Sequence, residues 1–230
     1  MPSSATSSPP ASPPLFPAWL VAGTVVTSGV WALLYHSQRT SILAAGAIVA
    51  LMLLVLAIVA RVTSQAPPWS VGHDVWLALP VIVVHLAVSY AAIPIATAIL
   101  PLVGEQAAAL VATATTQWSP MVVALLSALL VAPMEEEFWR GTMQPRLGQV
   151  VDHADRPGDR VRGRVSWRAI LATTGVFCLF HVPTGNIALV GASLLGGIAW
   201  GWLHARTEGM VAPVLAHGTW TAAMALFPPI

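Results

Sequence analysis

Apolar residues fill this chain in long blocks separated by short polar stretches. The pattern shows neither the period-two alternation of a half-buried strand nor the single stripe of a helix with one wet face. Runs of about 20 apolar residues cross a bilayer as helices, and seven runs stand out, at 17–35, 42–60, 75–100, 121–143, 169–183, 187–204 and 211–227. The fifth and seventh are short and interrupted. Pro80 and Pro94 fall inside the third run, where each predicts a kink, because proline lacks an N–H and its ring meets the preceding turn. The stretch 105–119 is too polar for a span and reads as an interfacial helix. The pattern predicts an all-α, polytopic transmembrane bundle of about seven spans. A disordered tail covers 1–16, three transmembrane helices cover 17–103, and a core of four covers 104–230. Gly197 and Gly201, four residues apart in the sixth run, predict close helix packing.

Composition agrees with the pattern. Hydrophobic residues make up 57% of the chain, charged residues only 8%, and mean hydropathy is +0.77. Soluble domains carry roughly 25% charged residues, so lipid must cover most of this surface. A net charge of +1 gives no footprint for nucleic acid. The one cysteine, Cys178, excludes an internal disulfide and a cysteine-rich metal site. The first residues lack the basic start of a secretory signal, so the run at 17–35 is expected to be a retained span.

Every basic side chain except histidine is arginine. With seven spans, Arg61, Arg146, Arg156, Arg160, Arg162, Arg164, Arg168 and Arg206 fall on one side and Arg39 alone on the other. The arginine-rich side is expected to be cytoplasmic, which places the N-terminus inside and the C-terminus outside a multi-pass protein of the cell membrane.

Against this apolar background the fourth run carries Glu135, Glu136, Glu137 and Arg140. Ionisable groups inside a span cost roughly 2.5 to 3.5 kcal/mol each on insertion scales. Glu136 and Arg140 are one turn apart on one face, where they can pair. Glu135 points about 100° away and has no partner in its own helix. A carboxylate beside a guanidinium becomes a poor base, whereas an unpaired carboxyl in an apolar setting moves toward the range useful for general base work. Glu135 is therefore the candidate base, Glu136 with Arg140 the pair that orients it, and Glu137 is expected to reach toward the headgroups.

Two histidines extend the site. His181 follows Phe177 by one turn in the fifth run, and His217 precedes Thr221 by one turn in the seventh. His85 reads as a packing residue and His204 as interfacial. Phe138 and Trp139 read as packing or interface anchors, and the other tryptophans as membrane-edge aromatics. Cys178, three residues before His181, raises the alternative of a Cys–His nucleophile, with nothing in the sequence to mark a thiolate environment.

The run Ala132-Pro133-Met134-Glu135-Glu136-Glu137-Phe138-Trp139-Arg140-Gly141 resembles the EExxxR motif of the CPBP family, the CAAX-protease and bacteriocin-processing intramembrane proteases, also called Abi or Rce1-like. Phe177 to His181 resembles that family's FxxxH motif, and His217 to Thr221 part of its HxxxN motif. The resemblance covers about 119–227. It implies a helical core around a hydrophilic cavity open to the cytoplasmic side, and hydrolysis of a peptide bond near the membrane surface. On this resemblance Glu135 and His181 hold and activate water, His217 and its partner one turn on stabilise the oxyanion, and Glu136 with Arg140 hold the architecture. Two departures stand out: Thr221 replaces the usual Asn, and Glu137 replaces a commonly apolar residue.

The family is often labelled a metalloprotease, and Glu135, His181 and His217 are the candidate ligands for a Zn²⁺ ion; the same three can also activate water directly. The leading expectation is an endopeptidase acting on a membrane-associated peptide or protein, CAAX-like or other, within the lipid bilayer. Two other classes remain open at this stage: a non-proteolytic partner-binding membrane protein whose polar cluster is structural, and a proton-coupled transporter.

Overall fold

The computed structural model describes residues 16–37, 40–64, 70–152 and 165–229. The expected tail over 1–16, and the arginines at 39, 156, 160, 162 and 164, fall almost entirely outside them. Among the described residues the chain is helical, without a strand. Eight helices follow one another: α1 (Ala18–Ser37), α2 (Ile42–Ser64), α3 (Ala78–Ile99), α4 (Pro101–Thr115), α5 (Pro120–Val151), α6 (Trp167–His181), α7 (Ile187–Thr207) and α8 (Val211–Leu226).

Every predicted apolar run is helical, but the count of seven spans needs correction. Four helices, α1, α2, α3 and α7, are long and apolar enough to cross a bilayer on their own. The fourth run lies in α5, which forms with α4 a pair bent by 93°. At 15 and 16 residues, α6 and α8 rise only about 22 to 24 Å, short of the ~30 Å hydrocarbon thickness. Helix α4 takes in most of the stretch expected to be interfacial and lies nearly perpendicular to α5, the geometry of a broken span or a re-entrant loop. Of the two prolines in the third run, Pro94 is inside α3, whereas Pro80 falls in its first turn and kinks nothing, since the first N–H groups of a helix have no intrahelical partner to lose.

Prolines also shape α5. Its backbone widens into π turns over Ser127–Val131 and Trp139–Met143, each just ahead of a proline, Pro133 and Pro145. Each proline removes a donor and crowds the carbonyl four residues earlier, and a π bulge relieves that clash without ending the helix. Side-chain caps fix the starts of the following helices: Ser166 Oγ accepts from Ala169 N at 3.1 Å, and Asn186 Oδ1 from Leu189 N at 2.9 Å.

The helix ends sort into two faces. At one, Arg146 donates to Ala60 O at 2.7 Å, Arg168 to Val151 O at 3.4 Å, and His73 N to Thr207 O at 2.6 Å. At the other, Asn186 donates to Tyr35 Oη at 2.7 Å, Gln106 to Gly185 O at 3.0 Å, and Tyr90 to Phe227 O. Helices α6 and α7 meet closely where the glycine pair predicted it. A Cβ on Gly197 would come within 2.7 Å of Thr174 Cγ2, and one on Gly201 within 3.0 Å of Gln144 Oε1. Gln144 uses that approach to donate to Gly201 O at 2.9 Å.

Candidate active site

The middle of α5, the C-terminal end of α6 and the middle of α8 converge at the bottom of a cavity of about 280 Å³. Glu135, His181, His217 and Thr221 all line it. The resemblance implies a hydrophilic cavity, placed in the second half of the chain, and the structure differs from this. The cavity walls are mostly apolar, with Ile93, Leu110, Val111, Leu189 and Met224 among them, and Trp31, Ile42 and Leu43 of the first half contribute. Polar groups concentrate at the floor.

Glu136 is fully buried and sits between two partners. Its Oε1 is 2.9 Å from His217 Nδ1, and its Oε2 is 3.2 Å from Arg140 Nε. The Arg140 contact is an ion pair whose angles do not meet those of an N–H···O bond. The guanidinium rests over the rings of Phe177 and Trp200, 5.5 and 5.6 Å from their centroids, a cation–π placement that stabilises a buried charge. A carboxylate is an acceptor only, so His217 donates Nδ1–H to Glu136, and in the neutral imidazole Nε2 then keeps its lone pair. That nitrogen is 3.9 Å from Glu135 Oε2. Trp200 stacks on the His217 ring at 3.8 Å, with 13° between planes, and holds its orientation.

His181 is arranged in the opposite sense. Trp31 of α1 donates its Nε1–H to His181 Nδ1 at 3.0 Å. An indole nitrogen is a donor only, so His181 Nδ1 carries no proton and Nε2 carries one. Nε2 has no hydrogen-bond partner among the described residues. Ser28 Oγ reinforces the contact by donating to Phe180 O at 2.6 Å. Thr221 spends its hydroxyl proton on His217 O, at 3.0 Å.

Several expectations change. Glu137 is buried and ion-paired with Arg61 of α2 rather than reaching the headgroups, which gives the unusual third glutamate a partner. Trp31 and Trp200 are buried and line the cavity rather than the membrane edge, whereas Trp139 packs against Phe177 and Phe180 as a packing anchor would. Each stands about one turn from the end of its run, so the sequence carried no signal for this. His85 packs between Trp200 and Trp220, with both ring centroids at 5.6 Å, as a packing residue would. Cys178 Sγ contacts Val190 O at 3.7 Å, away from the cluster.

The candidate zinc ligands do not fit a metal site. Among the described residues no three His, Cys, Asp or Glu side chains group closely enough to hold an ion. His181 also presents Nε2–H, and a ligating imidazole needs a lone pair there. Glu135 and His217 alone fall short of the three protein ligands of a catalytic zinc.

Residues 117–223 match the family model described as type II CAAX prenyl endopeptidase Rce1-like. This part of the chain belongs to the Rce1-like family. The match takes in the Rce1-like motifs on α5, α6 and α8, while Trp31 and Arg61 lie outside it. No curated protein and no solved structure matches the chain. The apolar helices are those of a multi-pass membrane protein, and the matched part of the chain is that of a protease family.

Proposed function

We propose that the chain is an intramembrane endopeptidase that hydrolyses a peptide bond of a membrane-associated substrate with water activated by Glu135. The observation that carries this is the 3.9 Å gap between Glu135 Oε2 and His217 Nε2 at the cavity floor. That gap is too long for a hydrogen bond and suited to one shared water. Both atoms are acceptors, so together they hold the two protons of that water and turn its lone pair toward the substrate.

Glu135 takes a proton as the water oxygen bonds to the scissile carbonyl carbon, and the carbonyl oxygen becomes an oxyanion. His181 Nε2–H, fixed by Trp31, donates to that oxyanion. Glu135 then returns its proton to the amide nitrogen as the C–N bond breaks, which leaves a carboxylic acid and an amine. This allocation exchanges the two histidines relative to the expectation from resemblance. It also assigns the oxyanion donor to His181 rather than Thr221, whose proton is engaged on the backbone.

Glu135→Gln tests the reading. General base catalysis contributes about 10²–10⁴ in rate, so cleavage is expected to fall by that factor at unchanged membrane abundance. Full cleavage by Glu135→Gln would remove the proposal.

A further inference from the structure

Among the described residues every arginine except Arg140 lies toward the end of the molecule opposite the cavity; Arg39, between α1 and α2 in the sequence, falls outside them. Measured along α5, Arg146 lies beyond Glu135 toward Val151, whereas the cavity-lining residues Val131, Ser127 and Val123 lie the other way, toward Pro120. The same holds along α2, α6, α7 and α8. The cavity uses the starts of α2 and α7 and the end of α8, through Leu43, Leu189, Met224 and Pro229, while Arg61 and Arg206 sit at the far ends of α2 and α7. Arg168 begins α6, and the cavity takes His181 from its end. Four further arginines stand between α5 and α6 in the sequence, joining the arginine-bearing ends.

Arginine and lysine next to spans are retained on the cytoplasmic side. A cytoplasmic arginine face and a cytoplasmic cavity mouth are therefore incompatible in this chain. We propose that the active-site cavity opens to the non-cytoplasmic side of the membrane, and that its substrate is an uncharged, apolar stretch of a membrane-anchored peptide presented from that side. The substrate half of this inference rests on the endopeptidase reading.

The chemistry of the walls sets the substrate class. Apart from Glu135 at the floor, no Asp, Glu, Lys or Arg among the described residues lines the cavity, so a charged substrate side chain would be desolvated there without a partner. From Ala225 toward the mouth to His217 is eight residues of α8, a depth of about 12 Å. An extended peptide crosses that depth in about four residues. The scissile bond accordingly lies several apolar residues below the membrane surface. A protein tail lipidated on the cytoplasmic face cannot reach it.

Two measurements test this in intact cells. Pro229→Cys and Asp152→Cys, each in a Cys178→Ser background, are treated with a membrane-impermeant maleimide. Pro229→Cys is expected to label directly, and Asp152→Cys to show loss of labelling until the cells are permeabilised. The reverse result overturns the proposed opening, whatever the chemistry. Sequencing of membrane-protein N-termini in cells carrying wild type or Glu135→Gln then reads the substrate. Glu135-dependent cuts are expected at apolar positions near the non-cytoplasmic surface. Cuts confined to the cytoplasmic side overturn the proposed substrate class and leave the endopeptidase reading intact. The absence of any Glu135-dependent cut overturns that reading, while the labelling result still decides the direction of opening.

Discussion

Trp31 and His181 are 150 positions apart and meet at 3.0 Å, indole N–H to imidazole Nδ1. This single bond makes His181 a hydrogen-bond donor toward the cavity, and it comes from a helix that carries none of the family motifs. Trp31→Phe keeps the aromatic bulk and removes the donor. Cleavage is expected to drop by about 10²–10³, the worth of one oxyanion donor, at unchanged abundance. Nitrogen NMR of histidine-labelled protein in detergent checks the cause: the wild type shows the Nε2–H form of His181, and the variant a mixture of forms. An unchanged spectrum would refute the assignment.

Arg140 is the counter-charge of a fully buried carboxylate. Removing one partner of a buried pair typically costs about 3–5 kcal/mol because the other charge is left uncompensated. Arg140→Met is expected to lower the thermal midpoint in detergent sharply and reduce membrane abundance. Glu136→Leu combined with Arg140→Met is expected to recover part of that stability and none of the cleavage, since His217 then lacks its Nδ1 acceptor. A double variant as unstable as Arg140→Met would argue against the pairing.

At the crossing of α6 and α7, a Cβ at residue 197 meets Thr174 Cγ2 at 2.7 Å and its Cβ at 3.1 Å. Gly197→Ala is expected to cost about 1–3 kcal/mol, the usual range for overpacking. Thr174→Ala in the same chain removes the closer atoms and is expected to restore part of the loss. A thermal-unfolding double-mutant cycle with no coupling would mean that the helices do not approach as described.

Thr221 tests the assignment of the oxyanion donor. Its hydroxyl donates to His217 O, so Thr221→Val, which keeps the shape, is expected to change cleavage by no more than about the effect of one net hydrogen bond, roughly tenfold or less. A loss of 10²–10³ would instead identify the hydroxyl as the oxyanion donor.

The apolar blocks revealed the helices because a bilayer imposes its thickness on sequence, and Glu136 with Arg140 could be paired from helical spacing alone. Spacing is silent about contacts between helices. It placed Glu135, His181 and His217 as candidates, yet which imidazole nitrogen carries a proton depends on Trp31 and on Glu136 acting across helices. Thus spacing brought the histidines forward as candidates and said nothing of their hydrogen-bond partners in other helices. Glu137 illustrates the same limit: a third glutamate in a span looked out of place until Arg61 appeared beside it. The span count failed for a different reason. Helices α6 and α8 bury much of their length in the bundle, so they need not be as long as a helix that faces lipid throughout.

Helix α1 fastens the end of α6 through Ser28, Trp31 and Tyr35. A chimaera that exchanges only the first helix between two related proteases, with all three motifs left intact, would therefore reset the proton inventory of the active site. Sequence change in this outlying helix gives evolution a way to adjust the chemistry without altering a single signature residue.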